Sequence, residues 1–212
     1  MNKQQKKIAK QIANFMQRIY RRKITTSLGG NISVRLEKNF LITPSQIDKE
    51  NISYKDILLI DAQGNVIEGT KKPSMETQMH LSVYEANKEI QAIIHAHPHW
   101  ATLLACSDLQ LCNEFTDEGY FVLKNLKYCQ YSTMGTIELA QMAANEANNA
   151  NILILQNHGV VSLAKSLVEA IEQIEVLENA TFYSYIKQTT NLNFQTLSQQ
   201  AKQIIDTKFR KK

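Results

Sequence analysis

Two short apolar runs limit most strongly the folds that are open to this chain. QAIIHAH occupies residues 91–97 and stops at Pro98, while ILILQ occupies residues 152–156 and stops at Asn157. Runs of this length, closed by breaking residues, are typical of strands buried on both faces. Helical patterns lie on either side of both runs, so we predict a sheet that is covered by helices.

Helical and strand patterns alternate irregularly around these two runs. Apolar spacing predicts helices over 3–22, after Ser74 as N-cap, around 100–105, from the cap Thr136 to about 149, and over 167–182 and 197–209. Strand patterns predict a hairpin from 32–36 and 40–43 and a third strand over 56–61. Because no regular βαβ order appears, the patterns favour an α/β sandwich around a mixed or antiparallel sheet. With 212 residues and no linker or repeat, the chain is predicted to be a single domain over 1–212.

Composition excludes several classes of protein. No run approaches the roughly 20 apolar residues of a membrane helix, and the basic N-terminus lacks the apolar core of a signal peptide. The three cysteines are odd in number and form no CxxC pair, which favours reduced thiols. The net charge of +4 does not form a basic face with interleaved aromatic residues. We therefore expect a cytoplasmic protein that binds neither membranes nor nucleic acids.

Three of the five histidines fall in the segment HAHPH. Residues two apart on a strand share a face, so His95 and His97 project side by side, either as metal ligands or as a hydrogen-bonded pair. His158 follows the second apolar run and can complete a set of three imidazoles. Three protein nitrogens with an open fourth position are typical of a catalytic zinc site.

Two other histidines and one carboxylate complete the polar candidates. His99 lies beyond the turn at Pro98 and is less favoured as a ligand. His80 lies at helical spacing between Glu76 and Tyr84, which favours a structural hydrogen bond. Glu76 near a helix start is explained by the helix dipole alone, yet a carboxylate beside a metal can also act as fourth ligand or general base.

The loop SLGGNIS and the turn TPSQ have the residues of an anion site. Gly29 and Gly30 let backbone N–H groups approach a phosphate, and Asn31, Ser45 and Ser74 are further hydrogen-bond donors. Neither GxxxxGK nor GxGxxG occurs, so this is not a nucleotide-binding motif. Ordinary turn chemistry is the simpler explanation of this loop taken alone.

Taken together, the segments GGNISVR, LITPS, KPSMET, IIHAHPHWAT and ILQNHGVV resemble the class II aldolase/adducin-domain family, in their order and spacing. The resemblance runs from the first helix to about residue 185, and its nearest branch is the sugar-phosphate aldolases of the L-fuculose-1-phosphate type. It implies a three-layer α/β/α sandwich around a largely antiparallel sheet. It also implies a homotetramer with active sites at subunit interfaces.

The same resemblance assigns roles to individual residues. The family's ligands for zinc, or for another divalent metal, correspond to His95, His97 and His158. The acid/base of the aldolases corresponds to Glu76. The phosphate pocket of the family falls on the residues of the two loops and of KPSMET, namely Gly30, Asn31, Ser45, Gln46, Ser74 and Met75.

The sequence departs from the family pattern at several of these positions. The aldolases have Gly where this chain has Gln46, and a second Ser where it has Met75. By resemblance, the family aromatic near the C-terminus corresponds to Phe209, which lacks a hydroxyl, and the interface tyrosine is assigned to Tyr120. The two changes in the phosphate pocket leave the substrate open.

The reaction implied by the resemblance is cleavage of a ketose 1-phosphate to dihydroxyacetone phosphate and an aldehyde. A metal-stabilised enediolate would form, and Glu76 would shuttle the proton at the carbon next to the carbonyl. Dehydration of methylthioribulose 1-phosphate and decarboxylation of a phosphorylated sugar acid are alternatives within the family. A non-catalytic adducin-like module is the alternative outside enzymes, and retention of three histidines and Glu76 weighs against it.

Overall fold

The computed structural model describes residues 1–209, which form seven helices and an eight-stranded sheet. The strands are β1 Asn31–Arg35, β2 Phe40–Ile42, β3 Leu58–Ile60, β4 Val66–Glu68, β5 Ala92–Ala96, β6 Leu126–Cys129, β7 Ile152–Leu155 and β8 Gly159–Ala164. The helices are α1 Lys3–Arg21, α2 Thr77–Ala86, α3 His99–Ala105, α4 Asp117–Val122, α5 Ile137–Glu146, α6 Leu167–Thr189 and α7 Gln199–Phe209. Residues 210–212 lie outside the described part, so one domain over 1–212 stays a prediction.

The sheet has the strand order β4-β3-β2-β1-β5-β8-β7-β6. Within the described residues, each neighbouring pair is antiparallel except β6 and β7, which are parallel. The prediction of a largely antiparallel sheet is therefore confirmed.

Helices cover both faces of the sheet. Side chains alternate between these faces along each buried strand, so each strand contributes to two cores. Ile94 and Ile154 belong to a core shared with α1, α3 and α6, whereas their neighbours Ile93 and Leu153 belong to a second core shared with α2 and α5. Both apolar runs thus form strands that are buried on two sides, and the three-layer sandwich is confirmed.

Four elements were not predicted from the sequence: β4, β6, β8 and α4. β4 has the sequence Val-Ile-Glu, which shows no alternation of apolar and polar residues. All three of its residues are exposed. β8 follows β7 after only three residues, and the turn between them contains Asn157 with a left-handed φ of 56°. The sequence pattern did not separate the second strand of this hairpin from the turn.

The predicted N-cap of α2 was wrong. Glu76 occupies the cap position, and no side chain of the described residues makes the cap hydrogen bond. The hydroxyl of Ser74 instead accepts a hydrogen bond from the Glu76 N–H at 3.3 Å. This arrangement leaves the Glu76 carboxylate free to turn inward. Among residues 1–209, no helix is both long and apolar enough to cross a membrane.

Candidate active site

His95 lies on β5, near the middle of the sheet, and is fully buried. Its Nδ1–H donates to the carbonyl of Val160 on the neighbouring strand β8, at 2.9 Å. This bond fixes the tautomer, so that Nε2 carries the lone pair, and no residue of the described chain forms a hydrogen bond with Nε2. Burial, with His158 nearby, lowers the pKa of His95 to about 3.

His97 follows the end of β5 and is held close to the β7–β8 turn. Its N–H donates to the carbonyl of Ile24 at 3.1 Å. A Cβ atom on Gly159 would lie 2.7 Å from Cδ2 of His97 and 2.6 Å from the carbonyl oxygen of Ala96, so no side chain fits there. Burial, with His95 and His158 nearby, lowers the pKa of His97 to about 3.

His158 lies in the turn between β7 and β8. Its N–H donates to the Leu155 carbonyl at 3.1 Å, and the preceding Asn157 donates to the Ala105 carbonyl at 2.9 Å. Asparagine tolerates the left-handed backbone of this turn better than most residues. The buried Nδ1 of His158 has no hydrogen-bond partner within residues 1–209.

The three predicted ligands converge. The ring centroids of His95, His97 and His158 are separated by 4.6 to 5.5 Å, and one nitrogen of each lies within 4.8 Å of the others. Buried imidazole nitrogens without partners are costly unless something binds them. The donor set therefore fits a divalent metal ion such as zinc.

Glu76, at the N-cap of α2, lies against the cluster. Its Oε2 lies 3.1 Å from Nε2 of His95, and its Oε1 lies 3.3 Å from Nε2 of His158. The Asn31 amide donates to Oε2 at 2.8 Å, whereas Oε1 is buried and accepts no hydrogen bond from the described residues. Asn31 thus anchors one carboxylate oxygen, whereas the other faces His158 with no hydrogen-bond partner among the described residues.

The strand register explains how these residues meet. Asn31 on β1 pairs with His95 on β5, and His95 pairs with Val161 on β8. Antiparallel pairing places the three strands side by side, so residues far apart in the sequence share one edge of the site. Glu76 then reaches this edge from the start of α2.

The two predicted phosphate loops lie next to one another. Ser45 donates its backbone N–H to the Lys72 carbonyl at 3.0 Å, and Pro44 and Pro73 form an isolated bridge. Gly30 has a φ of +67°, and a Cβ there would lie 2.7 Å from the Thr25 hydroxyl. The Ile32 N–H donates to the Thr43 hydroxyl at 3.1 Å, which brings the SLGGNIS loop against the TPSQ turn, and phosphate binding by them stays a prediction.

The two departures from the family pattern are both at the surface. Gln46 is exposed with a left-handed φ of 50°, a conformation that favours glycine. Met75 exposes 66% of its surface. Neither side chain fills the space between the imidazoles and Glu76.

Lys49 is a polar residue of this region that the sequence analysis missed. It is 1% exposed, its ammonium donates to the Pro44 carbonyl at 3.3 Å, and its backbone N–H donates to the Ser27 carbonyl at 2.9 Å. Burial lowers the pKa of Lys49 to about 8. It connects the two loops, and nothing in the sequence pattern marks it as buried.

The remaining candidates lie away from the cluster. His99 is exposed at the start of α3 and does not join the metal-binding group found among residues 1–209. The Tyr120 hydroxyl donates to Asp206 at 2.9 Å, and the ring of Phe209 packs edge-on against Phe121. The roles assigned to Tyr120 and Phe209 in an assembly stay predictions.

Comparison with known proteins gives a consistent set of relatives. Residues 10–183 match the family model described as "Class II Aldolase and Adducin N-terminal domain". An L-fuculose phosphate aldolase of Methanococcus maripaludis is 34% identical over 168 residues, covering 79% of this chain and 91% of the relative.

Two further relatives widen the range of reactions and support the fold. A 3-oxo-tetronate 4-phosphate decarboxylase of Haemophilus influenzae is 31% identical over 182 residues, covering 84% of this chain and 86% of the relative. A solved structure of an L-fuculose 1-phosphate aldolase superposes with a TM-score of 0.85 at 30% identity, covering 99% of this chain and 98% of the other. The two sequence relatives are named for different activities, and the solved structure supports the fold.

Proposed function

The chain belongs to the class II aldolase and adducin N-terminal domain family and is a lyase, and from this membership we propose that it is a zinc-dependent aldolase that acts on a ketose 1-phosphate. The products would be dihydroxyacetone phosphate and an aldehyde. The L-fuculose phosphate aldolases among its relatives support this choice of substrate class.

The observation that carries the proposal is the convergence of three imidazoles and one carboxylate in a buried site. His95, His97 and His158 would hold the divalent ion, which supplies Lewis-acid activation of a carbonyl oxygen. An enzyme that cleaves the bond next to a carbonyl also needs a group that accepts and returns a proton.

Glu76 is the residue to which we assign this proton transfer. Asn31 anchors Oε2, which leaves Oε1 as the oxygen that receives the proton. The carboxylate is 7% exposed, so competing water is largely excluded from it. The phosphate of the substrate is proposed to bind between Gly30, Asn31, Ser45, Gln46, Ser74 and Met75.

A decarboxylase acting on a phosphorylated sugar acid is the second candidate. The Haemophilus influenzae relative, at 31% identity, favours it. Gln46 and Met75 stand where the aldolase pattern has Gly and Ser, so the aldolase pattern is incomplete at the proposed phosphate pocket. Dehydration of methylthioribulose 1-phosphate is a further alternative with the same ligands.

The assembly and the location are also proposals. A homotetramer in the cytoplasm is expected from the family, and exposed apolar side chains between β6 and α5 offer a surface for subunit contact. These are Tyr128 on β6, Tyr131 and Met134 in the connecting segment, and Ile137 at the start of α5, each more than half exposed. Light scattering of the purified protein measures the assembly directly.

The testing experiment is a coupled assay for dihydroxyacetone phosphate with zinc-loaded protein and a panel of deoxy-ketose 1-phosphates. We expect release from at least one member and a fall of about 100-fold or more in Glu76→Gln, as general acid/base catalysis commonly contributes that much. His99→Gln is the matched control and should keep full activity, since His99 is exposed outside the cluster.

If no member of the panel releases dihydroxyacetone phosphate, the aldolase assignment is contradicted. Release of carbon dioxide from phosphorylated 3-oxo sugar acids by the same protein would then support the decarboxylase. Unchanged turnover in Glu76→Gln would contradict the proposed acid/base.

A further inference from the structure

A continuous chain of buried hydrogen bonds leads away from Glu76 into the core. Asn31 contacts Glu76 at 2.8 Å and Nε2 of His80 at 2.5 Å. The other ring nitrogen of His80 lies 2.6 Å from the Ser33 hydroxyl, which in turn lies 2.8 Å from the Tyr84 hydroxyl. Asn31, His80, Ser33 and Tyr84 are at most 4% exposed.

Two local periodicities produce this chain of hydrogen bonds. Asn31 and Ser33 are two apart on β1 and so point to the same face of the sheet. Glu76, His80 and Tyr84 are spaced by four and so lie on one face of α2 and its cap. The strand and the helix therefore contribute alternate members of a single row.

The chemistry of the groups fixes the direction of every hydrogen bond. An ionised carboxylate only accepts, so Asn31 must present its NH2 to Glu76 and its carbonyl oxygen to His80. That oxygen also only accepts, so the proton of a neutral His80 lies on Nε2. Nδ1 then accepts from the Ser33 hydroxyl, which accepts from Tyr84.

We propose that His80 is a positioning residue for Glu76, which acts by locking the side-chain amide of Asn31 in the orientation that donates to Oε2. If the amide turned over, its oxygen would face the carboxylate, and two acceptors would repel one another in a site of low dielectric. This inference rests on the proposed role of Glu76, and it assigns to His80 more than the structural hydrogen bond expected from its spacing.

The surroundings of His80 support a ring that stays neutral. Burial is the main cause that lowers its pKa to about 3, and nearby Glu76 opposes that shift only in part. Burial also raises the pKa of the Tyr84 phenol, so its hydroxyl stays protonated. The far end of α2 is fixed as well, because the Arg35 guanidinium donates to the Asn87 carbonyl at 3.0 Å.

The first test reads the tautomer of His80 without any substrate. Long-range proton–nitrogen spectra of metal-free protein with 15N-labelled histidine should show one ring that keeps the Nε2–H form from about pH 8 to 5. Loss of that signal in His80→Gln assigns it, and His99→Gln is the control that should leave it in place. A charged ring or the Nδ1–H form at His80 would overturn the proposal.

The second test measures turnover of the substrate found in the panel. We expect His80→Leu to lower kcat by about 10- to 100-fold, as small misplacements of catalytic groups can, with KM changed less than about twofold. His80→Gln keeps an amide donor near the position of Nε2 and should recover part of kcat. In an Asn31→Ala background, His80→Leu should lower kcat no further, because it acts through Asn31.

Either wild-type kcat in His80→Leu and His80→Gln or an additive fall in the double variant would overturn the positioning role. His80→Gln serves if the leucine variant does not fold. Two other results would show that the proposed function is wrong: full activity in Glu76→Gln, or no release of dihydroxyacetone phosphate from any member of the panel. The tautomer experiment decides the proposal in that case also.

Discussion

At the scale of single residues, the site is defined by nitrogen atoms that are kept neutral. His80, His95 and His97 are each held at a pKa of about 3, chiefly by burial. Neutral imidazole is the form that binds a metal, and it is also the form that can accept one hydrogen bond while donating another. Burial in this fold therefore prepares the residues chemically as well as packing them.

The depressed pKa values make stability depend on pH. Unfolded histidines titrate near about 6.5, whereas these folded ones do so near 3. As the pH falls below about 6.5, these histidines bind protons in the unfolded chain but not in the folded chain, so the free energy of unfolding falls. Urea titration of metal-free protein between about pH 7 and 5 should show this decline, above the range in which carboxylates titrate.

His80→Gln provides the matched comparison for the pH prediction. Glutamine does not titrate, so the decline in this variant should be shallower than in the wild-type protein. Equal slopes in the two proteins would contradict the assignment of a depressed pKa to His80.

At the scale of secondary-structure elements, the site depends on the β7–β8 hairpin and its three-residue turn. Gly159 begins β8 directly against Ala96 and His97, with no room for a Cβ atom. The same turn presents His158. A single glycine therefore sets the distance between two of the proposed metal ligands.

Gly159→Ala should test this dependence. Overpacking of this kind commonly costs about 1–3 kcal/mol of stability, and we expect weaker zinc binding as well, because His97 must move. Urea unfolding and zinc titration measure the two effects. Gly64→Ala is the control: it strains the turn between β3 and β4, which has φ +84°, and its Cβ would contact Leu81 and Thr77 rather than a proposed metal ligand, so it should lower stability and leave zinc affinity unchanged. Wild-type zinc affinity in Gly159→Ala would contradict the prediction.

The sequence predicted the elements that have strong periodicity and the residues that have distinctive chemistry. The two apolar runs became β5 and β7, and the three histidines with Glu76 came together. It missed β4, whose residues are exposed, and β8, which a short turn separates from β7. It also missed the burial of Lys49, because that burial is decided by two loops that meet only in the folded chain.

At the scale of the whole molecule, a sheet of eight strands brings together groups that are distant in sequence. Asn31, His95 and His158 come from three different parts of the chain, and long-range pairing of β1, β5 and β8 aligns them. Such a site exists only when these strands are paired. A ligand that binds it should therefore stabilise the entire fold rather than one segment.

Zinc should accordingly raise the free energy of unfolding of the whole protein. At a free zinc concentration of about 100 times Kd, the expected gain is about 2.7 kcal/mol. Thermal or urea unfolding with and without a chelator measures it. His97→Ala should lose most of the gain, whereas the exposed control His99→Gln should keep it. An equal gain in His97→Ala would contradict the ligand assignment.

The proposed metal ligands and the proposed phosphate-binding residues lie on different kinds of structure. The proposed ligands sit on or beside paired central strands, whereas Ser45, Gln46, Ser74 and Met75 lie on connecting segments joined by the Pro44–Pro73 bridge and bonds to the Lys72 carbonyl. Substitutions in these segments leave the sheet register untouched. Substrate preference can therefore change through substitutions at a few loop positions while the cluster of His95, His97, His158 and Glu76 stays the same. Gln46, which holds a backbone conformation suited to glycine, is one of these loop positions.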